Sequence, residues 1–128
     1  METFYKNKKI IITGGLGFIG SSLAHRLVRY GAKVTLVDSL IPDFGGNIFN
    51  IHEIEGKLDT HISDVRNESA MNFLVSDKHL IFNLAGTLSH IDSFKNPYQD
   101  MEINCRTHLS LLESCRKFNQ TIKIIYTG

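Results

Sequence analysis

Short β-branched runs alternate along the chain with segments whose apolar residues recur every three or four positions. Lys9-Ile10-Ile11-Ile12-Thr13 ends in glycines and predicts a buried strand. From Gly17 to Tyr30, the residues Ile19, Leu23, Leu27 and Tyr30 mark one face of a helix, with Gly31 as its stop. Lys33 to Asp38 predicts a second strand. Pro42, Gly45, Gly46 and Gly56 make residues 39–56 a loop, with one helical turn near Asn47 to His52. Leu58 to Ser63 reads as a weaker strand, and Asn67 to Leu74 as a short helix capped by Asp64 or Asn67. His79 to Leu84 predicts a fourth strand. Pro97 then opens a long amphipathic stretch in which Met101, Cys105, Leu109, Leu112 and Cys115 share a side. Ile122 to Tyr126 predicts a fifth strand.

This alternation implies an α/β architecture, a parallel sheet with right-handed crossovers and helices on both faces. Ligands of such sheets bind at the carboxyl ends of the strands, where strand order reverses. The loops that matter for function therefore follow Thr13, Asp38, Ser63 and Leu84.

Composition narrows the class. The 128 residues suit one domain, and 42% hydrophobic with 21% charged residues excludes a disordered chain. A formal charge of +1 offers no field for nucleic acid or an anionic membrane, so neither is an expected partner. No apolar run is long enough for a membrane span, and the polar, basic stretch Met1 to Lys9 has no signal segment behind it. Two cysteines without a CxxC pair point to a reduced, cytoplasmic domain. The six histidines show no HxH or HExxH spacing, so no metal site is expected.

The chemistry concentrates in Thr13-Gly14-Gly15-Leu16-Gly17-Phe18-Ile19-Gly20, between the first strand and the first helix. It satisfies Gly15-x-Gly17-x-x-Gly20 and also Gly14-x-x-Gly17-x-x-Gly20. An early glycine permits the tight turn, a middle one lets backbone approach a pyrophosphate, and the last lets the helix sit close on the sheet. Free N–H groups at the helix start then meet the phosphates. A P-loop is excluded, because no Gly-Lys-[Ser/Thr] follows. Asp38, at the end of the second strand, can accept hydrogen bonds from the adenosine ribose hydroxyls. It would repel a 2′-phosphate, and no Arg follows in Ser39-Leu40-Ile41 to cradle one, so NAD is preferred over NADP.

The run at residues 13–20, followed by Val37-Asp38-Ser39-Leu40, resembles the extended short-chain dehydrogenase/reductase family, and within it the NAD-dependent nucleotide-sugar epimerases and dehydratases. Asp64-Val65-Arg66, Asn83-Leu84-Ala85-Gly86, and Asn104 with Leu111-Leu112-Glu113 match further family segments in order, so the resemblance covers residues 9–128. It implies a Rossmann-type doubly wound sheet of about five strands in order 3-2-1-4-5. It also implies that Gly14, Gly17, Phe18, Ile19 and Gly20 meet the pyrophosphate and that Asp38 and Ser39 meet the adenosine ribose. Asp64 and Val65 would then lie at the adenine, with Leu84, Ala85, Gly86 and Thr87 along the nicotinamide side.

The sequence also departs from the family pattern. The family often has His where this chain has Asn83, and Gly-Thr where it has Thr107-His108, which implies a different packing of that helix. Ser89-His90-Ile91-Asp92 is similar to a Ser-His-Val-Asp segment of sugar-nucleotide dehydratases, with another spacing to Pro97. The family's catalytic Ser or Thr beyond the fifth strand and its Tyr-x-x-x-Lys are not found; Tyr5 and Lys9 have that separation but precede the first strand. No catalytic residue is therefore expected in this chain. Residues 1–128 are expected to be the NAD-binding part of a longer nucleotide-sugar enzyme, self-associating through Ile122 to Tyr126 as an exposed edge. The alternatives are a non-catalytic NAD-sensing or scaffolding module, and a flavin- or NADPH-dependent reductase domain.

Overall fold

A computed structural model describes residues 2–41, 45–86 and 94–127. Five strands form one parallel sheet: β1 (Lys9–Thr13), β2 (Lys33–Asp38), β3 (Asp59–Ile62), β4 (Leu80–Asn83) and β5 (Lys123–Tyr126). Their order is β3-β2-β1-β4-β5, as the family resemblance implies, so the strand order reverses between β1 and β4. Register is set across the centre, where Ile11 pairs with Thr35 on one side and Ile81 on the other.

Alternation within β1 divides the core. Ile10 and Ile12 point to one layer with Leu16, Ala24, Leu27 and Leu36. Ile11 points to the other with Met71, Leu74, Ile81, Leu111 and Cys115. A strand buried on both faces reads as an uninterrupted apolar run, which is what Ile10-Ile11-Ile12 supplies. One layer is covered by α2 (Phe18–Arg29), the other by α3 (Glu68–Val75) and α5 (Thr107–Phe118). The sequence reading missed the short N-terminal helix α1 (Glu2–Tyr5), from which the Tyr5 ring stacks on Tyr30.

The helix ends follow their local chemistry. Gly31 (φ +80°) donates to the Val28 carbonyl and Ala32 to the Leu27 carbonyl, a Schellman stop for α2. Asn67, and not Asp64, caps α3 by accepting from the Ala70 N–H. Asn96 caps α4 (Pro97–Met101) by accepting from Gln99. A π-helical turn, Glu102–Arg106, joins α4 to α5, and the Thr107 hydroxyl donates back across it to the Ile103 carbonyl.

Two predicted faces are corrected. In α2 the buried side is Gly20, Ser21, Ala24 and Leu27, while Ile19 is 66% exposed; the close seating of Gly20 on the glycine turn sets the rotation. In α5 the sheet takes Thr107, Leu111, Ser114 and Cys115, leaving Leu109 and Leu112 exposed, as are Met101 of α4 and Cys105 of the π-helical turn. The expected burial of Cys105 is thus overturned and that of Cys115 upheld. No helix among the described residues is long and apolar enough to cross a membrane.

Candidate functional site

The glycine turn leaves β1 at the point where strand order reverses. Gly14 adopts φ +66°, and a β-carbon there would stand 3.0 Å from the Leu84 carbonyl carbon and oxygen. The turn after β1 and the segment after β4 are therefore in contact. At Gly20 a β-carbon would overlap the Gly14 carbonyl oxygen, and at Gly15 it would strike Leu36. Packing within the chain accounts for these three glycines. Gly17 differs. Its backbone is extended (φ −74°, ψ 177°), and an added β-carbon would meet only the Gly14 oxygen, at 3.4 Å. Among the described residues nothing requires a glycine here, so the open space beside it is the feature that points to a ligand.

Gly17 is also the N-cap of α2 and supplies no side-chain hydrogen bond, and the first turn of α2 contains no acidic residue. Helices α3 and α4, by contrast, are capped by asparagines. The bare start of α2, with Phe18 and Ile19 exposed, presents N–H groups suited to an anion.

Asp38 ends β2 facing the same turn. Its Oδ2 accepts from the Leu16 N–H at 3.0 Å and its Oδ1 from the Leu40 N–H at 2.9 Å, which holds Leu40 at φ 50°. A carboxylate has about four acceptor positions, so each oxygen keeps capacity for a hydroxyl. Ser39 beside it is exposed.

The β3–α3 loop brings Asp64 and Val65 to the same edge, with different outcomes. Val65 is 6% exposed, its side chain in the core. Asp64 is chelated by Arg66: Oδ1 accepts from the Arg66 N–H and Nε, and Oδ2 from Nε and, at 2.5 Å, Nη2. That guanidinium holds the Asp64 carboxyl below the usual carboxylate range, and it also reaches Glu102 at 3.1 Å. An outside donor reaches Asp64 only if Arg66 releases it.

After β4, Leu84 and Ala85 both donate to the Thr13 hydroxyl, at 3.1 and 3.2 Å. Gly86 is exposed, and a β-carbon on it would stand 3.1 Å from Asn104 Oδ1. Gly14, Gly17, Ser39, Asp64, Val65, Leu84, Ala85 and Gly86 thus lie in turns and loops at the carboxyl edge of the sheet, with Asp38 at the end of β2 and Phe18, Ile19 and Gly20 in the first turn of α2. Thr87 and Ser89-His90-Ile91-Asp92 lie outside the described residues. Tyr5 and Lys9 lie at the opposite, amino edge, Tyr5 packed against the core. That edge also carries a shallow hollow of about 400 Å³ lined by Lys9, Lys33, Lys57, Asp59, Asp77 and Lys78. Among the described residues no three His, Cys, Asp or Glu side chains gather to hold a metal ion.

The sequence reading did not anticipate the partners of Asn83 and His108. Asn83 is 4% exposed, accepts from the Thr13 hydroxyl at 2.7 Å, and lies 2.8 Å from His108 Nδ1. Both had stood out as departures from the family pattern, but nothing along the chain joins them.

A sheet of order 3-2-1-4-5 with a glycine turn and an uncapped helix start at its reversal defines a Rossmann-type domain. The chain belongs to the family described as GDP-mannose 4,6 dehydratase, whose model matches residues 11–128. It is 35% identical over 125 residues to CDP-paratose 2-epimerase of Salmonella typhi, covering 94% of this chain and 36% of that protein. Its fold matches the Bordetella bronchiseptica enzyme WbmF in complex with NAD+ and UDP at a TM-score of 0.85 and 26% identity, covering 97% of this chain and 36% of that one. It matches the UDP-glucose 4-epimerase of Thermus thermophilus in complex with NAD at 0.78 and 27%, over 91% and 36% of the two chains. The chain therefore spans about a third of the length of these relatives.

Proposed function

We propose that this chain is the NAD-binding part of a nucleotide-sugar epimerase or dehydratase. The observation that carries the reading is Gly17, a glycine that no contact among the described residues requires, at the open and uncapped start of α2. Gly14, Gly17, Phe18, Ile19 and Gly20 hold the pyrophosphate, with the N–H groups at the start of α2 aimed at it. Asp38 accepts from the adenosine ribose hydroxyls beside Ser39, and its charge disfavours a 2′-phosphate. Val65 flanks the adenine, joined by Asp64 once Arg66 yields a position. Leu84, Ala85, Gly86 and Thr87 line the nicotinamide side. Complexes of the two solved relatives with NAD support this reading.

NAD bound there supplies a hydride acceptor for a sugar carbon and a donor for its return, which makes epimerisation or loss of water possible in the whole protein. The contribution of this chain is to bind and orient. Its one Tyr-x-x-x-Lys spacing, Tyr5 to Lys9, lies at the wrong edge, so the 128 residues alone bind cofactor and turn nothing over. We also propose that copies associate along β5, where Ile125 and Tyr126 are 43% and 57% exposed at the sheet edge.

Titration of the chain with NADH and NADPH, read by nicotinamide fluorescence, tests the reading. Saturable binding of NADH, with NADPH markedly weaker, supports it. Absence of binding, equal affinity for NADPH, or recovery of the protein with bound flavin overturns it.

A further inference from the structure

The two side chains that depart from the family pattern at the carboxyl edge form one hydrogen-bonded relay, and every bond in it has a fixed direction. A hydroxyl has one hydrogen and two lone pairs. Thr13 Oγ1 accepts from the Leu84 and Ala85 N–H groups, so its own hydrogen goes to Asn83 Oδ1, 2.7 Å away. That turns the Asn83 amide nitrogen, which can only donate, toward His108 Nδ1 at 2.8 Å. Nδ1 must then accept, and the proton of the neutral ring sits on Nε2. Thr13 is 0% and Asn83 4% exposed, so water offers no alternative partner along this stretch.

We propose that His108, neutral and protonated on Nε2, is a positioning residue for the Leu84–Ala85–Gly86 arm of the cofactor site, acting through Asn83 and Thr13. The inference rests on the reading above that this arm lines the nicotinamide half. A proton on Nδ1 would set a donor against the Asn83 amide. Asn83 would have to turn over and offer Thr13 Oγ1 a third N–H where only two lone pairs exist, while the Thr13 hydrogen lost its acceptor. Ala85 would then give up its anchor, and Leu84 would keep only its bond to the Thr13 carbonyl, at 3.2 Å. Among the described residues, β4 and β5 face the ring. β4 contributes the uncharged Asn83, and β5 contributes Tyr126, whose ring meets His108 edge-on at 4.9 Å and 75°. Before it in the chain stand Asp100 of α4 and Asn104 of the π-helical turn, whose amide donates to the Asp100 carboxylate. Partial burial pushes the His108 imidazole down from its ordinary value, which favours the neutral form.

The experiment combines nitrogen NMR of the His108 ring with NADH titration of the chain and of two variants. The relay predicts the Nε2–H tautomer, and Leu84 and Ala85 amide signals that move with the midpoint of His108. His108→Phe keeps the ring edge on Tyr126 but loses the acceptor, and weakens NADH binding roughly threefold to tenfold. His108→Gln restores an acceptor that does not titrate, recovering the affinity and removing its acid dependence. An Nδ1–H tautomer, Leu84 and Ala85 signals indifferent to His108, or full affinity in His108→Phe overturns the inference. Signals that follow His108 in a chain that fails to bind NADH support the relay and overturn only the cofactor reading.

Discussion

Gly17 and Gly20 separate what the fold needs from what a ligand needs. A β-carbon at Gly20 overlaps the Gly14 carbonyl oxygen, so Gly20→Ala should cost about 1–3 kcal/mol of stability, read by denaturant unfolding. The same change at Gly17 meets one atom at 3.4 Å and should cost less than about 1 kcal/mol, yet weaken NADH binding about tenfold or more by filling the space beside the α2 start. Unchanged binding in Gly17→Ala would show that this space is not a phosphate site. A second prediction concerns Asp77, held at about 2 first by Lys78 and then by Lys9. Its folded value lies below its unfolded one, so its stabilising contribution is complete above about pH 4. That contribution is lost as pH falls toward 2. Asp77→Asn should flatten stability across that window, by little, because the side chain is 53% exposed and solvent screens the pair.

Elements were more legible than their orientation. β1 and β2 fall on the predicted residues because β-branched runs bounded by glycine or by Asp38 leave little choice. The phase of the helices was harder to read. The stretch from the end of α4 through α5 carries two stripes at helical spacing, Met101-Cys105-Leu109-Leu112 and Ile103-Thr107-Leu111-Cys115, and periodicity cannot rank them. The sheet buries the second, where small Thr107 and Ser114 allow close approach. β3 shows the opposite case: the weak alternation of Asp59-Thr60-His61-Ile62 reflects a real edge strand exposed along its length. At the other edge, β5 should let copies of this chain associate. Light scattering across concentration should show growth in mass that Ile125→Lys reduces, and a monomer at every concentration would contradict it.

For the molecule as a whole, the glycine turn was readable because it is written in consecutive residues, and the strand order because the family resemblance implies it. The relay through Thr13, Asn83 and His108 was not, since its members lie on β1, β4 and α5 and meet only after folding. The chelation of Asp64 by Arg66 was missed for another reason: the motif names the carboxylate but not the partner that occupies it. The start of α2 at the glycine turn and the hollow at the amino edge both carry positive groups, although Asp77 already pairs with Lys9 and Lys78 in the hollow. Amide NMR mapping of NAD on the chain decides between them. If NAD binds as proposed, shifts fall on residues 14–20, Asp38, Ser39, Val65 and Leu84 to Gly86. Shifts confined to Lys9, Lys33, Lys57 and Lys78, or none at saturating NAD, would contradict it.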